Sequence, residues 1–441
     1  MAIHDACDCG HGYYDRCEAG ESTLDLLARS DRSGHPTAVT ATALTLARAS
    51  GSSRKNGCSR GLRGIWQCLR LVATTLPRDL CDPFPVPRYR RRRMLSSLTL
   101  RDELTVIDAG DSRWLEFIAS RADALAFHHP AWGRLVQRAY GFRPLALAAI
   151  DETGRVAAGT PVLEISHLLR PRKWVSLPFA DYSPPLAPAD TEGFAEALDR
   201  TRRIAGVASI EIRSTVEGAN VHRRSRGVRH VLQLQPDCDE LFRAFRPATR
   251  RNVRQAERSG IEVRRCDEPR GLVDDFYRMH TSNRRRLGTP VQPRRFFRDL
   301  WEEVIEPGLG FVLLATRGET PVAGAVFLSW NGTIVYKYGA SDPRAWSARP
   351  NNLVMWDAIR WGAENGYHTF DFGRSEIGQE GLRSFKAGWG ATELPLEYSV
   401  IAERAPTDNR AGASSALSPL IRRSPTWVAR ILGEFFYRYA A

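Results

Sequence analysis

Residues Thr333–Tyr398 read TIVYKYGASDPRAWSARPNNLVMWDAIRWGAENGYHTFDFGRSEIGQEGLRSFKAGWGATELPLEY. TIVYKYGA alternates β-branched and aromatic residues with the period of a strand. Pro350, with its fixed φ and no N–H, suits the first turn of a helix. Leu353, Met355, Trp356, Ile359 and Trp361 give that helix an apolar face, and Gly366 closes it. His368 to Phe372 then returns as a strand ending in Gly373. A helix bridging two strands predicts a right-handed crossover in an α/β sheet. Asp371, Arg374, Ser375 and Lys386 collect beyond the strand ends, where such sheets open a crevice for ligands.

Upstream, GFVLLATRGETPVAGAVFLSWNGTIVYKYGA predicts three consecutive strands, with turns at Gly318–Thr320 and Asn331–Gly332. Before them, helices are expected over CDELFRAFRPATRRNVRQAERSG, GLVDDFYRMHTSNRRRLG and PRRFFRDLWEEVI, with IEVRRC as a strand after the first. The first half offers a similar order. A strand LTVIDAG precedes a helix capped by Asp111, and a helix AFHHPAWGRLVQRAYG ends at Gly141. A hairpin about Glu152–Gly154, the proline-rich LPFADYSPPLAP, a helix TEGFAEALDRTRRIAG and a strand ASIEIRS complete it. The fold class is therefore mixed α/β (α+β): two tandem lobes, residues 94–235 and 236–403, each a mixed sheet flanked by helices. Residues 1–93 differ in composition and are expected to be a disordered extension, or upstream sequence ahead of a true start at Met94. Residues 404–441 are expected to be a polar linker, Arg404–Ser424, and an amphipathic helix carrying Trp427, Ile431, Phe435, Phe436 and Tyr439. That helix either packs against the body or makes peripheral membrane contact.

A chain of 441 residues with 43% apolar and 26% charged residues is ordinary for a globular protein of two or three domains. No run reaches the ~18 apolar residues of a membrane span. The start MAIHDACDCGHG lacks a basic-then-apolar leader pattern, so the body is expected in the cytoplasm, free or at the inner face of the membrane. The net charge of +13 comes almost entirely from arginine and favours phosphorylated substrates, anionic membranes or nucleic acid. Arginine-rich chains from high-GC genomes share that bias without any such role. Six of the eight cysteines precede residue 82. Cys7, Cys9, His11 and Cys17 lack a second ligand pair at zinc spacing, so neither a metal nor a tightly bound cofactor is expected.

The chain has no G-x-S-x-G elbow, H-E-x-x-H, paired C-x-x-C or Walker loop. Direct transfer between two bound substrates remains, which needs positioning and charge stabilisation more than a nucleophile. Lys386 follows a turn containing Gly373, Gly378 and Gly381. Its ammonium could stabilise the oxyanion formed when an amine attacks an ester or thioester; the bland alternative is a surface lysine. Lysine is rare in this chain and arginine abundant, which favours selection for an ammonium there. In TRRNVRQA, Arg250 and Arg254 share a helix face and could grip a diphosphate, or simply be solvated. Tyr336, Tyr338 and Asp371 lie at strand positions that either line a cleft or fill the core.

FDFGRS, then SFKAGWG and a closing strand, together with TRRNVRQAERSGIEV, resembles the FemAB-type proteins. These form a branch of the GNAT superfamily that includes the peptidoglycan interpeptide-bridge aminoacyl ligases and related bacterial acyltransferases. The resemblance runs from about Leu98 to Arg438 and is strongest at residues 249–263 and 370–398. It implies two tandem GNAT-like lobes and acyl transfer. The family's F-K pair falls on Phe385 and Lys386, which implies a catalytic lysine with the phenyl ring against the substrate; Asp371 joins them as a catalytic candidate. The T-R-R-N segment implies that Arg250, Arg251, Asn252 and Arg254 contact a phosphorylated substrate. LPFADYSPPLAP resembles a proline-flanked family loop whose Asp181 and Tyr182 bind substrate or cap the loop. Tyr336, Tyr338 and Arg374 complete the candidate substrate contacts. RRLGTP, beside Asn283–Arg286, fits the family's R-x-x-G-x-P, and Trp132 and Arg138 are weaker candidates.

The implied function moves an aminoacyl or acyl group onto an amine of a phosphorylated cell-wall precursor or surface saccharide, from aminoacyl-tRNA or acyl-CoA. An acyl-CoA-dependent N-acyltransferase of exopolysaccharide biosynthesis is the second reading. A basic nucleic-acid-binding protein is the third, and no recognition helix or aromatic RNA platform supports it. Two features depart from the family. GNAT enzymes that use acetyl-CoA carry R/Q-x-x-G-x-G/A before the crossover helix; here SARPNN removes an N–H and offers no glycine. The long helical hairpin of some bridge-forming ligases is also missing, since residues 270–308 are too short for it.

Overall fold

The computed structural model describes residues 103–167, 170–187, 191–405, 418–419 and 421–423, all within one compact unit that begins at Arg93. The expectations for residues 1–93, and for the helix bearing Trp427 to Tyr439, lie outside the described residues.

The first half opens with β1 (Thr105–Asp108) and α1 (Ser112–Ala119). Asp111 caps α1 by accepting a hydrogen bond from the Arg113 amide at 2.9 Å. Next comes α2 (Pro130–Tyr140), closed by Gly141 in the left-handed region at φ 79°. A meander of β2 (Arg143–Ile150), β3 (Val156–His167) and β4 (Arg170–Val175) follows, then α3 (Thr191–Ile204), β5 (Ser209–Ile212) and β6 (Val221–Gln233).

The second half begins with α4 (Cys238–Ala244), α5 (Pro247–Arg258) and β7 (Ile261–Arg265). A π-helical stretch, Gly271–Phe276, runs into α6 (Tyr277–Leu287), and α7 (Arg294–Leu300) runs into a second one, Trp301–Ile305. The three expected strands are β8 (Gly310–Arg317), β9 (Thr320–Trp330) and β10 (Thr333–Ser341). The crossover helix α8 (Pro350–Glu364), β11 (Thr369–Ser375), α9 (Glu380–Ala387) and β12 (Thr392–Ile401) finish the fold.

The strands form one sheet in the order β1-β2-β3-β4-β5-β12-β6-β11-β10-β9-β8-β7. The two expected lobes thus share a sheet, because β12 returns from the second half and inserts between β5 and β6 of the first. It pairs antiparallel with both, from Ser399↔Ile212 to Ile401↔Ile210 on one edge and from Thr392↔Val231 to Ile401↔Val221 on the other. Two strands, β4 and β6, are not evident in the sequence. VHRRSRGVRHVLQ looks like a solvated basic run, yet β6 is a central strand between β12 and β11. Residues 418–419 and 421–423 are helical and Ile421 is fully buried, so the expected polar linker packs into the core there.

Each face of the second-half sheet carries its own core. On one face α4, α5 and α8 bury Phe245, Val253, Trp356, Ile359, Phe370 and Trp389. On the other, Trp132, Leu135 and Val136 of α2 join Phe276, Phe297, Leu300 and Val335, so the halves share this core too. Arg138 of α2 reaches across to Glu302 at 2.6 Å and Glu303 at 3.0 Å. Among the described residues no helix is long and apolar enough to cross a membrane. Phe297 is fully buried against Phe276, Tyr277, His280, Phe296 and Tyr338. Phe297→Ala is expected to cost about 3–5 kcal/mol in denaturant unfolding, and a loss under about 1 kcal/mol would contradict this packing.

Candidate active site

The parallel pair at the crossover holds for three rungs, Thr333↔Thr369, Ile334↔Phe370 and Val335↔Asp371. Beyond them β10 and β11 have no rungs with each other. Two irregularities accompany the parting: the β10–β9 register shifts between Tyr336 and Tyr338, and the β11–β6 register shifts between Asp371 and Arg374. The first is a bulge at Lys337. It switches the strand's facing: Ile334 and Tyr336 belong to one core, Tyr338 and Ala340 to the opposite one. At the second, Gly373 takes φ 67° and comes so close to Asp181 that a Cβ would sit 3.0 Å from Oδ2.

A cavity of about 740 Å³ opens in this parting, walled by Asp181, Tyr336, Lys337, Tyr338, Arg374 and Lys386 with the segment Gly378–Leu382 and residues of α6. A neighbouring cavity of about 750 Å³ shares Asn283, Arg286, Tyr336, Gly339, Gly381 and Leu382 with it. That second space continues past Phe385 to Ser341, Trp346 and Asn351 at the start of α8. Together they make one cleft.

Lys386 sits on α9 and is only 2% exposed. Its Nζ donates to the carbonyls of Gly373 at 2.8 Å and Arg374 at 3.0 Å. Burial drives its pKa down to about 8, against the pull of Asp181 and Asp371. Lys337, from the bulge, has a side chain 6% exposed and lies 3.5 Å from Asp181 Oδ2. Burial lowers its pKa and Asp181 works the other way. Lys337 is missing from the sequence-derived candidates, because strand alternation puts it on the face opposite both tyrosines. A bulge leaves no sequence mark here; the signal that could have found it is the scarcity of lysine.

Asp181 arrives on a loop in which Leu177 and Phe179 both adopt left-handed φ, 52° and 69°, a strain of order 1–3 kcal/mol each. Several bonds hold the loop against that strain. Trp132 Nε1 donates to Pro178 O at 3.3 Å, Tyr398 Oη to Asp181 O at 2.7 Å, and Arg213 Nη1 to Ala180 O. Burial raises the Asp181 pKa, but Lys337, Arg374, Arg213 and Lys386 outweigh it and hold the carboxyl below the usual range.

The structure separates the remaining candidates. Tyr336, its hydroxyl pushed up to about 12 by burial, and Tyr338 line the cavity, as does Arg374. Phe385 lines the neighbouring space and packs edge-on to Trp389 at 6.0 Å. Asp371 lies beneath the wall rather than on it. It accepts from Gly373 N at 2.7 Å and pairs with Arg229 at 3.1 Å, and burial raises its pKa against that arginine. The same Arg229 lies 3.8 Å from the Tyr182 ring centroid, so Tyr182 and Asp371 share one half-buried cation. Arg250, Arg251, Asn252 and Arg254 are not among the cavity-lining residues. Their helix α5 adjoins the site through Thr249 Oγ1, which donates to Gly388 O at 3.0 Å, and Arg254 lies over Phe242 at 5.7 Å. Trp132 and Arg138 serve the core and the ion pairs between halves. At the start of α8, Trp346 Nε1 and Asn351 Nδ2 both donate to Ser341 Oγ, at 3.0 and 3.1 Å.

Residues 243–387 match the family model described as Acetyltransferase (GNAT) domain. The crystal structure of FemX aligns at 15% identity with a TM-score of 0.55, covering 68% of this chain and 98% of that one. L-PGS from Bacillus licheniformis aligns at 14% identity and a TM-score of 0.44, covering 72% of this chain and 98% of its own. A tandem GNAT protein from the clavulanic acid biosynthesis pathway aligns at 12% identity and 0.40, covering 69% of this chain and 100% of its own. No curated protein matches the chain. Residues 243–387 in the second half thus match the acetyltransferase (GNAT) domain model, and the chain shares its fold with FemX.

Proposed function

We propose that the chain transfers an aminoacyl or acyl group from an activated ester or thioester to an amine of a phosphorylated cell-wall precursor or surface saccharide. The observation that carries this reading is the placement of Lys386. An ammonium has three donors, and two are spent on Gly373 O and Arg374 O. One remains for a group in the cavity, where a buried donor aimed at a developing oxyanion contributes roughly 3–4 kcal/mol to the rate. Asp181, kept ionised by the cations around it, faces the same space and suits an incoming amine. The arginines of α5 lie outside the cavity but next to it, where the phosphorylated part of a long acceptor could run.

A second reading takes acyl-CoA as the donor, and the space beside Ser341, Trp346 and Asn351 favours it. The turn itself fits diphosphate poorly. Pro350 has no N–H, the Asn352 amide is taken by Arg349 O at 3.0 Å, and Arg349 rather than glycine holds the left-handed position at φ 57°. Thermal-shift screening against UDP-linked muropeptides, aminoacyl-tRNA and acyl-CoAs, followed by mass spectrometry of the acceptor, separates the donors. Neither stabilisation nor mass transfer with any of them would end the reading.

Lys386→Met is expected to lower turnover about 10²–10³-fold with ligand-induced stabilisation retained. Wild-type turnover should fall as pH rises through about 8, where Lys386 loses its proton. The same lysine burdens the fold. The folded chain releases this proton near 8 and the unfolded chain near 10.5, so stability rises with pH between those values and the penalty is full below 8. That penalty is of order 3 kcal/mol, whereas each hydrogen bond to a carbonyl that methionine cannot make is worth about 1 kcal/mol. Lys386→Met should therefore melt at or above the wild-type temperature at pH 7; a drop of more than about 5 °C would show that the ammonium is structural. Replacing Arg250 and Arg254 with alanine should weaken binding of the phosphorylated acceptor about tenfold and reduce its salt dependence. Equal loss of turnover at saturating acceptor would place them in the chemistry instead.

A further inference from the structure

We propose that Lys337 is the proton acceptor for the attacking amine, working across the cavity from Lys386, with Asp181 stabilising its charged form. The proposal rests on the transferase reading above and supplies the base that reading lacks.

Geometry carries it. Lys337 and Lys386 wall one cavity, the first from the bulge of β10 and the second from α9. Lys386 is anchored by two backbone carbonyls, acceptors that favour an ammonium. Lys337 has different company. Its Nζ lies 5.1 Å from the Tyr338 ring centroid, 5.8 Å from Phe127 and 5.9 Å from Trp132, with Asp181 as its hydrogen-bond partner. The charged and titratable groups facing it are Asp181 from the strained loop, Arg213 after β5, Arg284 and His280 from α6, and Arg374 and Lys386 across the cavity. Asp181 and the ring faces favour the ammonium, while burial, Arg213 and Arg284 oppose it, a balance in which the amine can take up and release a proton.

The choice of residue points the same way. The chain has four lysines, Lys55, Lys173, Lys337 and Lys386, among 63 basic residues, and two of the four meet in this cavity. A cation needed only to pair with Asp181 could be arginine, as nearly everywhere else in this chain, and arginine forms the better fork. Arginine cannot give up a proton; lysine can. A lysine beside the carboxylate therefore marks a position where the proton must leave and return.

In the transfer step, the acceptor nitrogen's lone pair forms the new C–N bond while the carbonyl π pair moves to oxygen, and that oxyanion faces Lys386. The nitrogen's proton passes to the lone pair of neutral Lys337, whose ammonium then sits against Asp181. As the oxyanion collapses, the bond from carbon to the donor oxygen or sulfur breaks, and that atom leaves with the pair. Lys337 returns its proton to the leaving atom, and the neutral amine is restored.

The test uses the full chain labelled with ε-13C-lysine, whose four lysine signals are titrated by NMR. Lys337→Arg identifies the Lys337 signal. The expected midpoint lies below the ordinary lysine value of about 10.4, and Asp181→Asn should lower it further; a midpoint at or above that value overturns the proposal. With the donor found in the screen above, Lys337→Arg keeps the charge but not the base. It should lose at least about 10²-fold in kcat, with acceptor KM within about threefold. Turnover of this variant within about threefold of wild type would overturn the role of base. If wild-type chain turns over no donor, the transferase reading fails and the base role falls with it, whatever the NMR midpoint.

Discussion

Strand β12 is the constraint from which the site follows. It hydrogen-bonds along both edges, to β5 on one side and β6 on the other, so the last strand of the chain locks the two halves into one sheet. Strands inserted between partners far back in sequence incur loop-closure entropy before any contact offsets it. The return is positional. Tyr398 on β12 donates to Asp181 O, Ser399 Oγ accepts from Val216 N at 3.0 Å, and the preceding segment carries Lys386. A carboxylate from the first half and an ammonium from the second are thereby fixed to one frame. A pair of independently folded lobes would hold them only as well as their interface allowed.

Around that frame, cations divide by chemistry. Arg229 pairs with Asp371 and covers Tyr182; Arg213 ties Ala180 and lies 5.3 Å from the Tyr398 ring centroid; Arg138 joins α2 to Glu302 and Glu303. All three have fixed charge and several donors and serve as braces. The two lysines occupy the cavity wall, where a group that can change protonation has a use. Burial costs these amines stability, and the strained loop at Leu177–Phe179 adds to the cost. Such local cost at a cleft, offset by large cores on both faces, is the usual balance of an active site.

Much of this was legible in the sequence because its causes are local. Alternation gave β8 to β10, Asn331–Gly332 gave the hairpin, and Pro350 and Gly366 bounded the crossover helix. Lys386 stood out by its neighbours and its rarity. Long-range causes were not legible. Strand β6 looks like a basic loop because Arg229 finds Asp371 142 residues away, and because His230, fully buried, meets Glu393 at 3.2 Å. The bulge at Lys337 is set by the register with β9 and leaves no mark in TIVYKYGA. Arg250, Arg251 and Arg254 share a helix that stands outside the pocket, a placement the sequence does not show, and its buried Thr249 reaches Gly388 at the end of α9.

The distance between the arginine helix and the cavity bears on what kind of acceptor fits the proposed reaction. A small amine would fill the space near Lys386 and Lys337 and leave α5 unused. An extended acceptor with an anionic end would reach both, drawing binding energy from contacts remote from the reacting atoms. Remote binding of that kind can offset the desolvation of a neutral amine among buried cations, which a small substrate cannot do for itself. The half-buried and exposed arginines of α5 are suited to the task because their charges need no burial to act on phosphate. On the proposed reading, the sheet therefore divides the labour: affinity is gathered on an open, arginine-bearing helix, and proton and charge movements are confined to two lysines in the parting of β10 and β11.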